Sequence, residues 1–372
     1  MLYFVGIIIS FFLALLIFSK KERQLADLIL GTWMVIIGLH LMMFYSTING
    51  TIFEYSHIMG IGLILPFLHG PSLYLYTLSI TNPAKINWIR VFLHSIIPIF
   101  VLLGISPFFL LSHSEQEYVM RHKGVGHETL IFTMNIVLTI SGIGYVFFTN
   151  LLLRKHKKRI SDQFSNQEKI NLNWLRFLFY GMAVIWILII FYSDDRYIFT
   201  LATLFVICIG YYGIRQVGIF TNPKTLEVLA ENELLEEVVN FTTVYSKKKY
   251  AKSGLSEETA NELRSKLTLL MANDKLYLEP ELTLVDLASR LGTHPNYLSQ
   301  VINDLENVNF YDYVNGLRAQ EFKEKVSNPE NKKFTLIAIA YECGFNSKSA
   351  FNRFFKKIEG LSPSEYIKSK NY

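Results

Sequence analysis

The sequence predicts an all-α protein in which a seven-helix transmembrane bundle precedes a cytoplasmic double helix-turn-helix domain of the homeodomain-like kind. Of its 372 residues 51% are hydrophobic and only 18% are charged, whereas charged residues make up about 25% of an average soluble protein. Long apolar runs fill the first part of the chain, and one short helical pattern occurs twice near the C-terminus. The two cysteines, Cys208 and Cys343, are too few for a disulfide framework or a cysteine-based zinc site.

The apolar runs of residues 1–215 have the length of membrane spans. A spanning helix needs about 20 mostly apolar residues. The first run lacks a basic start, and charged KKER follows it instead of a cleavage site, so we expect a retained anchor rather than a signal peptide. The predicted spans are residues 2–18, 26–45, 58–80, 91–112, 129–153, 174–192 and 197–214.

The basic residues between these spans predict their orientation. Lysine and arginine are concentrated in the segments that follow odd-numbered spans, and such segments face the cytoplasm. The sequence therefore predicts a multi-pass protein of the inner (cytoplasmic) membrane with its N-terminus outside and its C-terminus in the cytoplasm. The concentrated set is Lys20, Lys21, Arg23, Lys85, Arg90, Arg154, Lys155, Lys157, Lys158, Arg159, Lys169 and Arg215, against Arg121, Lys123 and Arg196 on the other side.

The predicted spans contain few groups that could do chemistry. His40, His69 and His94 lie inside them, and polar groups in lipid are functional candidates by default. No HExxH motif, no His-x-x-x-His pair and no deep carboxylate accompanies them. We therefore expect histidines that hydrogen-bond between helices, with no catalytic residue, metal or cofactor. Proline and glycine residues in the spans pack the helices, or alternatively shape a cavity for a ligand.

A connector is predicted over residues 216–264. Residues 225–241 have the spacing of an amphipathic helix, which either pairs with a second copy in a homodimer or packs on the next domain. The basic stretch 245–258 either lies near the anionic lipid of the inner leaflet or is a solvated loop. Ser256 is expected to cap a helix that runs through Met271.

An internal repeat dominates the last third of the chain. Residues 284–302 and 336–355 match at an offset of 52 before a turn and 53 after it, so the second turn has one extra residue. Small alanines let two crossing helices approach, and glycine accepts the positive φ at which a first helix ends. The matched pairs are Leu284 with Leu336, Leu287 with Ile339, Ala288 with Ala340, Gly292 with Gly344, Leu298 with Phe351, Gln300 with Arg353 and Ile302 with Phe355.

The second helix of each unit has one apolar and one polar face. The units cover about 282–305 and 335–358, and their buried stripes are predicted to be Leu298, Val301, Ile302 and Leu305, and Phe351, Phe354, Phe355 and Ile358. Arg and Lys suit guanine in the major groove of double-stranded DNA, and Asn and Gln suit adenine. A solvated face is the alternative, but its repetition favours DNA. The predicted DNA-binding residues are Asn296, Ser299, Gln300, Asn303, Asn346, Ser347, Lys348, Ser349, Asn352, Arg353, Lys356 and Lys357.

A single helix over 309–326 is expected to space the two units rigidly. Reading helices about 34 Å apart enter successive major grooves on one face of DNA. Residues 257–331 have a net charge of −6 and residues 332–372 one of +5. The second unit is therefore expected to make most of the phosphate contacts.

This part of the chain resembles the AraC/XylS family of bacterial transcription regulators. The resemblance covers about residues 265–372 and depends on LTLVDLASRLGTHPNYLSQVIND, NFYDYVNGLRAQEF and IAIAYECGFNSKSAFNRFFKKIEGLSPSEY in that order. It implies a monomeric DNA-binding module whose two reading helices contact bases and backbone. The usual soluble sugar-binding domain of that family is replaced by spans, so its effector chemistry does not carry over.

Together these features predict a membrane-anchored, sequence-specific transcription regulator, and not an enzyme. Residues 1–215 are then a sensor for a small-molecule or envelope signal, and the C-terminal domain reads two successive major grooves. The alternative is a membrane transporter or membrane enzyme with a regulatory DNA-binding tail, which intramembrane charges or a catalytic motif would favour. In a third hypothesis the spans only tether the regulator.

Overall fold

A computed structural model describes residues 1–55, 58–82, 86–166, 173–192, 194–215 and 255–370. Across these ranges all regular secondary structure is helical, and strand pairing is limited to an isolated bridge between Phe164 and Thr283. The described residues form two compact units. The first takes in 1–154 and 173–215, and the second takes in 155–166 and 255–370. The predicted connector helix 225–241 and the basic residues up to 254 lie outside the described residues. The homodimer hypothesis, which depends on that helix, therefore stays a prediction.

The first unit consists of helices and short 3₁₀ turns. Four helices of the described chain are long and apolar enough to cross a membrane, namely Leu25–Asn49, Ile89–Leu110, Glu128–Gln163 and Trp174–Phe191, and Leu2–Phe18 is apolar but shorter. A full count of seven spans stays a prediction. The helices up to residue 215 are α1 (Leu2–Phe18), α2 (Leu25–Asn49), α3 (Pro66–Thr81), α4 (Trp88–Ile105), α5 (His113–Arg121), α6 (Glu128–Gln163), α7 (Asn173–Phe191) and α8 (Asp195–Arg215). The residues of α6 from 155 onward belong to the second unit.

Helix α3 begins later than the apolar run that predicts it. The run starts near residue 58, but Gly60 has φ +89 and a 3₁₀ turn follows over Ile61–Leu63. Pro66 then occupies the first turn of α3, where its missing N–H has no helical partner to lose. Hydrophobicity alone does not mark such a break, because the residues on both sides of it are apolar.

Helix α5 lies in a polar segment between predicted spans, where the sequence predicts no helix. Ser112 and Glu115 form a capping box at its N-terminus, in which the Ser112 N–H donates to the Glu115 carboxylate at 2.8 Å. Gln116 is buried and its amide nitrogen donates to the Phe108 carbonyl at 3.1 Å. Short polar helices of this kind depend on caps and contacts, so apolar periodicity does not reveal them.

The packing of the first unit suits a lipid environment. Trp33 and Leu175 are fully buried in its core. In contrast, Phe100, Phe132 and Ile140 are each about two-thirds exposed. Large apolar side chains exposed in this number are unfavourable in water, whereas contact with hydrocarbon removes that penalty.

The histidines of the predicted spans make the interhelical hydrogen bonds expected of them. Trp33 Nε1 donates to His69 Nδ1 at 3.3 Å, and His69 Nε2 lies 2.9 Å from His40 Nδ1. Because Nδ1 of His69 accepts, its Nε2 carries the proton and donates to His40. His94 Nδ1 lies 2.9 Å from the Tyr145 hydroxyl. These bonds join α2 with α3 and α4 with α6.

The second unit is built around one long helix. Its helices are α9 (Glu257–Asp274), α10 (Leu284–Arg290), α11 (Pro295–Leu305), α12 (Phe310–Ser327), α13 (Leu336–Glu342), α14 (Lys348–Glu359) and α15 (Pro363–Lys370). The first half of α12 contributes Phe310 and Val314 to a core with α10 and α11. Its second half contributes Phe322 and Val326 to a core with α13 and α14. The single helix predicted over 309–326 is confirmed, and it belongs to both cores.

Candidate nucleic-acid interface

The first helix-turn-helix is formed by α10 and α11. Thr283 caps α10, since its Oγ1 accepts from the Asp286 N–H at 3.2 Å while its own N–H donates to the Asp286 carboxylate at 3.1 Å. Gly292 has φ +63 in the turn, a conformation that glycine adopts without steric cost. The next helix begins with Pro295 at its first position, after His294 whose Nδ1 accepts from the Asn296 N–H at 3.2 Å.

The second helix-turn-helix, α13 and α14, repeats this arrangement with a longer turn. Four residues separate α10 from α11 and five separate α13 from α14, which confirms the extra residue. Gly344 has φ +89, and a Cβ there would lie 2.6 Å from the Tyr277 carbonyl oxygen. Only glycine fits this position. Ser347 ends the turn as the N-cap of α14, where its Oγ accepts from the Ala350 N–H at 3.1 Å.

The buried stripes of both reading helices follow the prediction with one exception. Leu298, Val301 and Ile302 are buried, and so are Phe351, Phe354 and Phe355, while Leu305 is half-buried. Ile358 is 44% exposed, so its predicted inward position is wrong. Helix α14 ends at Glu359 and Gly360 turns the chain away with φ +74, so the buried stripe of α14 ends at Phe355.

The predicted DNA-binding residues lie on the opposite faces of these helices or, for Asn346 and Ser347, in the turn before α14, and they differ in exposure. The exposed ones are Asn296, Asn303, Lys348, Ser349, Asn352, Arg353, Lys356 and Lys357, and the half-buried ones are Ser299, Gln300, Asn346 and Ser347. The structure therefore places each of them on or beside a face that is open to a ligand.

Some of these side chains also have partners within the protein. Asn346 Nδ2 donates to Glu281 Oε1 at 2.9 Å, and Lys357 Nζ forms an ion pair with Asp312 at 2.6 Å. Asn303 Nδ2 donates to the Ser299 carbonyl at 2.8 Å. The contact of Asn346 joins the second helix-turn-helix to the loop before α10, and that of Lys357 joins α14 to α12. The bond of Asn303 and the capping bond of Ser347 lie within their own helices.

Arg318, for which the sequence predicts no role, is the polar centre of the domain. Its side chain is 1% exposed, and it donates from Nε to the Tyr277 carbonyl and from Nη2 to the Glu279 carbonyl, both at 2.6 Å. Burial lowers the pKa of its guanidinium to about 10, so it remains charged at neutral pH. The contacts fasten the loop before α10 to α12. Helical spacing alone gives no sign that this arginine is buried.

A second polar group on α12 strengthens the same attachment. The Glu321 carboxylate accepts from Lys275 Nζ and from the Tyr277 hydroxyl, each at 2.8 Å. Burial opposes the charge of this carboxylate, but the two hydrogen bonds outweigh it and hold its pKa below the ordinary value. Glu321 and Arg318 therefore join the same short loop to α12 from successive turns.

This architecture, two helix-turn-helix units on one connecting helix, defines a class of DNA-binding domain. Residues 287–369 match a protein family described as "Helix-turn-helix domain". The chain is 33% identical over 92 residues to "Uncharacterized HTH-type transcriptional regulator YtdP" of Bacillus subtilis (strain 168), which covers 25% of this chain and 12% of that protein. It is 34% identical over 86 residues to "Uncharacterized HTH-type transcriptional regulator YisR" of the same organism, covering 23% and 29%.

A longer match involves "Regulatory protein PocR" of Salmonella typhimurium (strain LT2), with 21% identity over 148 residues that cover 40% of this chain and 48% of that protein. The chain thus spans less than half the length of each of these three relatives. No solved structure matches it. The C-terminal domain is an AraC-type helix-turn-helix domain, as its resemblance to that family predicts.

Proposed function

We propose that the protein is a membrane-embedded, sequence-specific transcription regulator that acts on double-stranded DNA. The observation that carries this proposal is the presence in one chain of apolar, membrane-length helices and of two helix-turn-helix units on a shared helix. The relatives named above as transcriptional regulators support the DNA-binding role.

In this proposal the chain crosses the inner membrane seven times, with its N-terminus outside and its C-terminus in the cytoplasm. The bias of lysine and arginine toward one set of loops supports that orientation. The lipid bilayer is then a permanent partner. The spans receive a small-molecule or envelope signal, and the role of the cytoplasmic part is regulation rather than catalysis.

Helices α11 and α14 enter successive major grooves in this proposal. Arg353, Asn352 and Lys348 of α14 reach base edges, as do Gln300 and Asn296 of α11. Lys356 lies further along α14, where a cation meets phosphate. The side chains with partners inside the protein, among them Ser347 and Lys357, chiefly position the helices.

The test uses the full chain in lipid nanodiscs with fragmented genomic DNA. We expect the bound fragments to share a sequence, with an affinity that falls as salt rises because bound phosphates release counterions. The matched control replaces Asn352, Arg353 and Lys356 with alanine, since their exposed side chains contribute little to folding. Recovery of no common sequence, or of the same sequence by the control, contradicts the proposal.

A further inference from the structure

A short segment of the loop between the predicted fifth and sixth spans belongs to the DNA-binding unit. We name this segment, Phe164–Asn166, the strap. It follows α6 directly, and it falls in the same compact unit as α9–α15. Ser165 is 2% and Asn166 is 8% exposed. Burial of this degree is unusual for two polar residues of a loop, so the strap is an integral part of the unit's interior.

The strap is bound to the first helix-turn-helix. Phe164 pairs with Thr283, the cap of α10, in an antiparallel bridge. Ser165 Oγ donates to the Leu282 carbonyl at 2.6 Å, and the Ser165 N–H points at the same carbonyl from 3.4 Å. These contacts fix the strap at the N-terminus of α10.

The connecting helix holds the strap from the other side. Asn315 Nδ2 donates to the Ser165 carbonyl at 3.0 Å, and Arg318 Nη2 donates to Ser165 Oγ at 3.3 Å. Ser165 therefore uses its side chain and its backbone to join the loop before α10 to the middle of α12.

The second helix-turn-helix meets the strap through Glu281. The carboxylate of Glu281 accepts from Asn346 Nδ2 at 2.9 Å and from Asn166 Nδ2 at 3.3 Å. Ser165 and Asn166 also line a small cavity together with Asn346 and Arg353. The strap thus lies where both helix-turn-helix units and their connecting helix come together.

The bound strap leaves the reading faces open. Asn352, Arg353 and Lys356 on α14 and Asn296 on α11 are exposed while the strap is in place. A segment that blocked DNA would cover these side chains, so the geometry favours a role in holding the units together.

From these contacts we propose that the strap is a clamp, which holds the two helix-turn-helix units at the separation required by two successive major grooves. This inference depends on the proposed DNA-binding function. It adds that a loop between predicted spans, and not the C-terminal domain alone, sets the geometry of DNA reading.

The first experiment tests whether the strap is bound in the full chain in nanodiscs. Phe164→Cys with Thr283→Cys, in a Cys208→Ala background, places two thiols on directly opposite residues of an antiparallel bridge, where Cα atoms lie about 4.5–5.5 Å apart and a disulfide fits. We expect it to form readily under mild oxidation, and Ser161→Cys with Thr283→Cys to remain reduced. If the two cysteine pairs form disulfides to the same extent, the strap is not bound at Thr283, whether or not the protein binds DNA.

The second experiment measures the clamp through DNA selection from a random pool. The variant Ser165→Ala with Asn166→Ala removes the strap's side-chain hydrogen bonds to Leu282 and Glu281. We expect it to bind about fivefold to tenfold more weakly and to accept a wider range of half-site spacings. The control Ser161→Ala loses only a hydrogen bond within α6, to the Lys158 carbonyl, and should keep the original affinity and spacing.

The oxidised Phe164→Cys/Thr283→Cys chain should accept the same narrow range of half-site spacings as the unaltered chain. The same variant reduced with dithiothreitol serves as its comparison. Tighter binding by the Ser165→Ala/Asn166→Ala variant shows an inhibitory strap and overturns the clamp. Unchanged affinity and spacing in that variant overturn it as well. If the unaltered chain binds no DNA, the proposed function fails, while the disulfide yields still report whether the strap is bound.

Discussion

At the scale of single residues, two arginines of the DNA-binding unit differ in burial. The buried one supports the fold, and the exposed one can contact DNA. Arg318 is enclosed, and its two shortest hydrogen bonds, both at 2.6 Å, end on carbonyls of the loop before α10. Arg353 is exposed on the outer face of α14. The first is therefore a structural group whose loss should unfold the loop, and the second is available to a ligand. Sequence alone assigns both to polar positions of helices.

The exposed arginine gives a direct test of base reading. Arg353→Ala should cost about 1–3 kcal/mol of binding and relax the preference at one base position, because a bidentate contact with guanine is lost. Gln300→Ala should alter the preference about one helical turn of DNA away. Selection from a random pool measures both changes. Lys370→Ala in α15 removes an exposed charge from another helix and should leave both preferences intact, and unchanged preferences for Arg353→Ala and Gln300→Ala would remove these assignments.

The carboxylate of Glu321 predicts a dependence of stability on pH. Its pKa in the folded protein lies below the ordinary value of 4.5, so its contribution to stability is complete above that pH and is lost as the pH falls through the lowered folded pKa. The second unit of the full chain in nanodiscs should accordingly lose more unfolding free energy on acidification than that of its Glu321→Gln variant. Urea unfolding at several pH values measures this difference. Parallel pH profiles for the two proteins would show that the contacts with Lys275 and Tyr277 are not stabilising.

At the scale of elements, the turn of each helix-turn-helix unit contains a glycine with positive φ, but the two glycines have different surroundings. Gly292 and Gly344 both have positive φ, and a Cβ at Gly292 would meet nothing within 4 Å. At Gly344 it would overlap backbone oxygens of the loop before α10. The second turn therefore packs directly against that loop, while the first turn is open to solvent.

This difference predicts unequal effects of one substitution. Gly292→Ala should cost about 1–2 kcal/mol for the left-handed conformation alone. Gly344→Ala should cost about 1–3 kcal/mol more, because the chain must also move away from Tyr277. Urea unfolding of the second unit within the full chain in nanodiscs compares the two variants. Equal losses of stability would contradict the close approach at Gly344.

How far the sequence predicts these elements depends on the kind of contact that forms them. Apolar residues at helical spacing locate α11, α12 and α14, and the offset between the repeats predicts the longer second turn. The strap leaves no such trace, because Ser165 binds Leu282 and Asn315 through single polar contacts between residues far apart in the chain. Ile358 shows the opposite kind of failure. Apolar residues keep their helical spacing to the end of α14, but Ile358 is exposed instead of buried.

On the scale of the whole molecule, one chain combines two kinds of surface. The first unit exposes large apolar side chains such as Phe100 and Phe132, and the second exposes asparagine, lysine and arginine on α14. The first surface suits hydrocarbon and the second suits a polyanion. A membrane-embedded regulator needs both, and its orientation must place the second surface in the cytoplasm.

Fusions of topology reporters test that orientation. Reporters that work only outside the cytoplasm should be active after Tyr45, Ser112 and Ser193, and cytoplasmic reporters should be active after Arg23, Arg159 and Arg215. The reason is the excess of basic residues in the second set of loops. The reversed pattern would put the helix-turn-helix domain on the side of the membrane without DNA.

Footprinting of the full chain in nanodiscs on its selected DNA tests the central claim most directly. Protection of guanine N7 from methylation reports on occupation of the major groove, where that atom is exposed. We predict two protected regions on one face of the duplex, with centres about 10–10.5 base pairs apart. Protection of a single region, or of two regions on opposite faces, would contradict a double helix-turn-helix that reads successive grooves from the membrane.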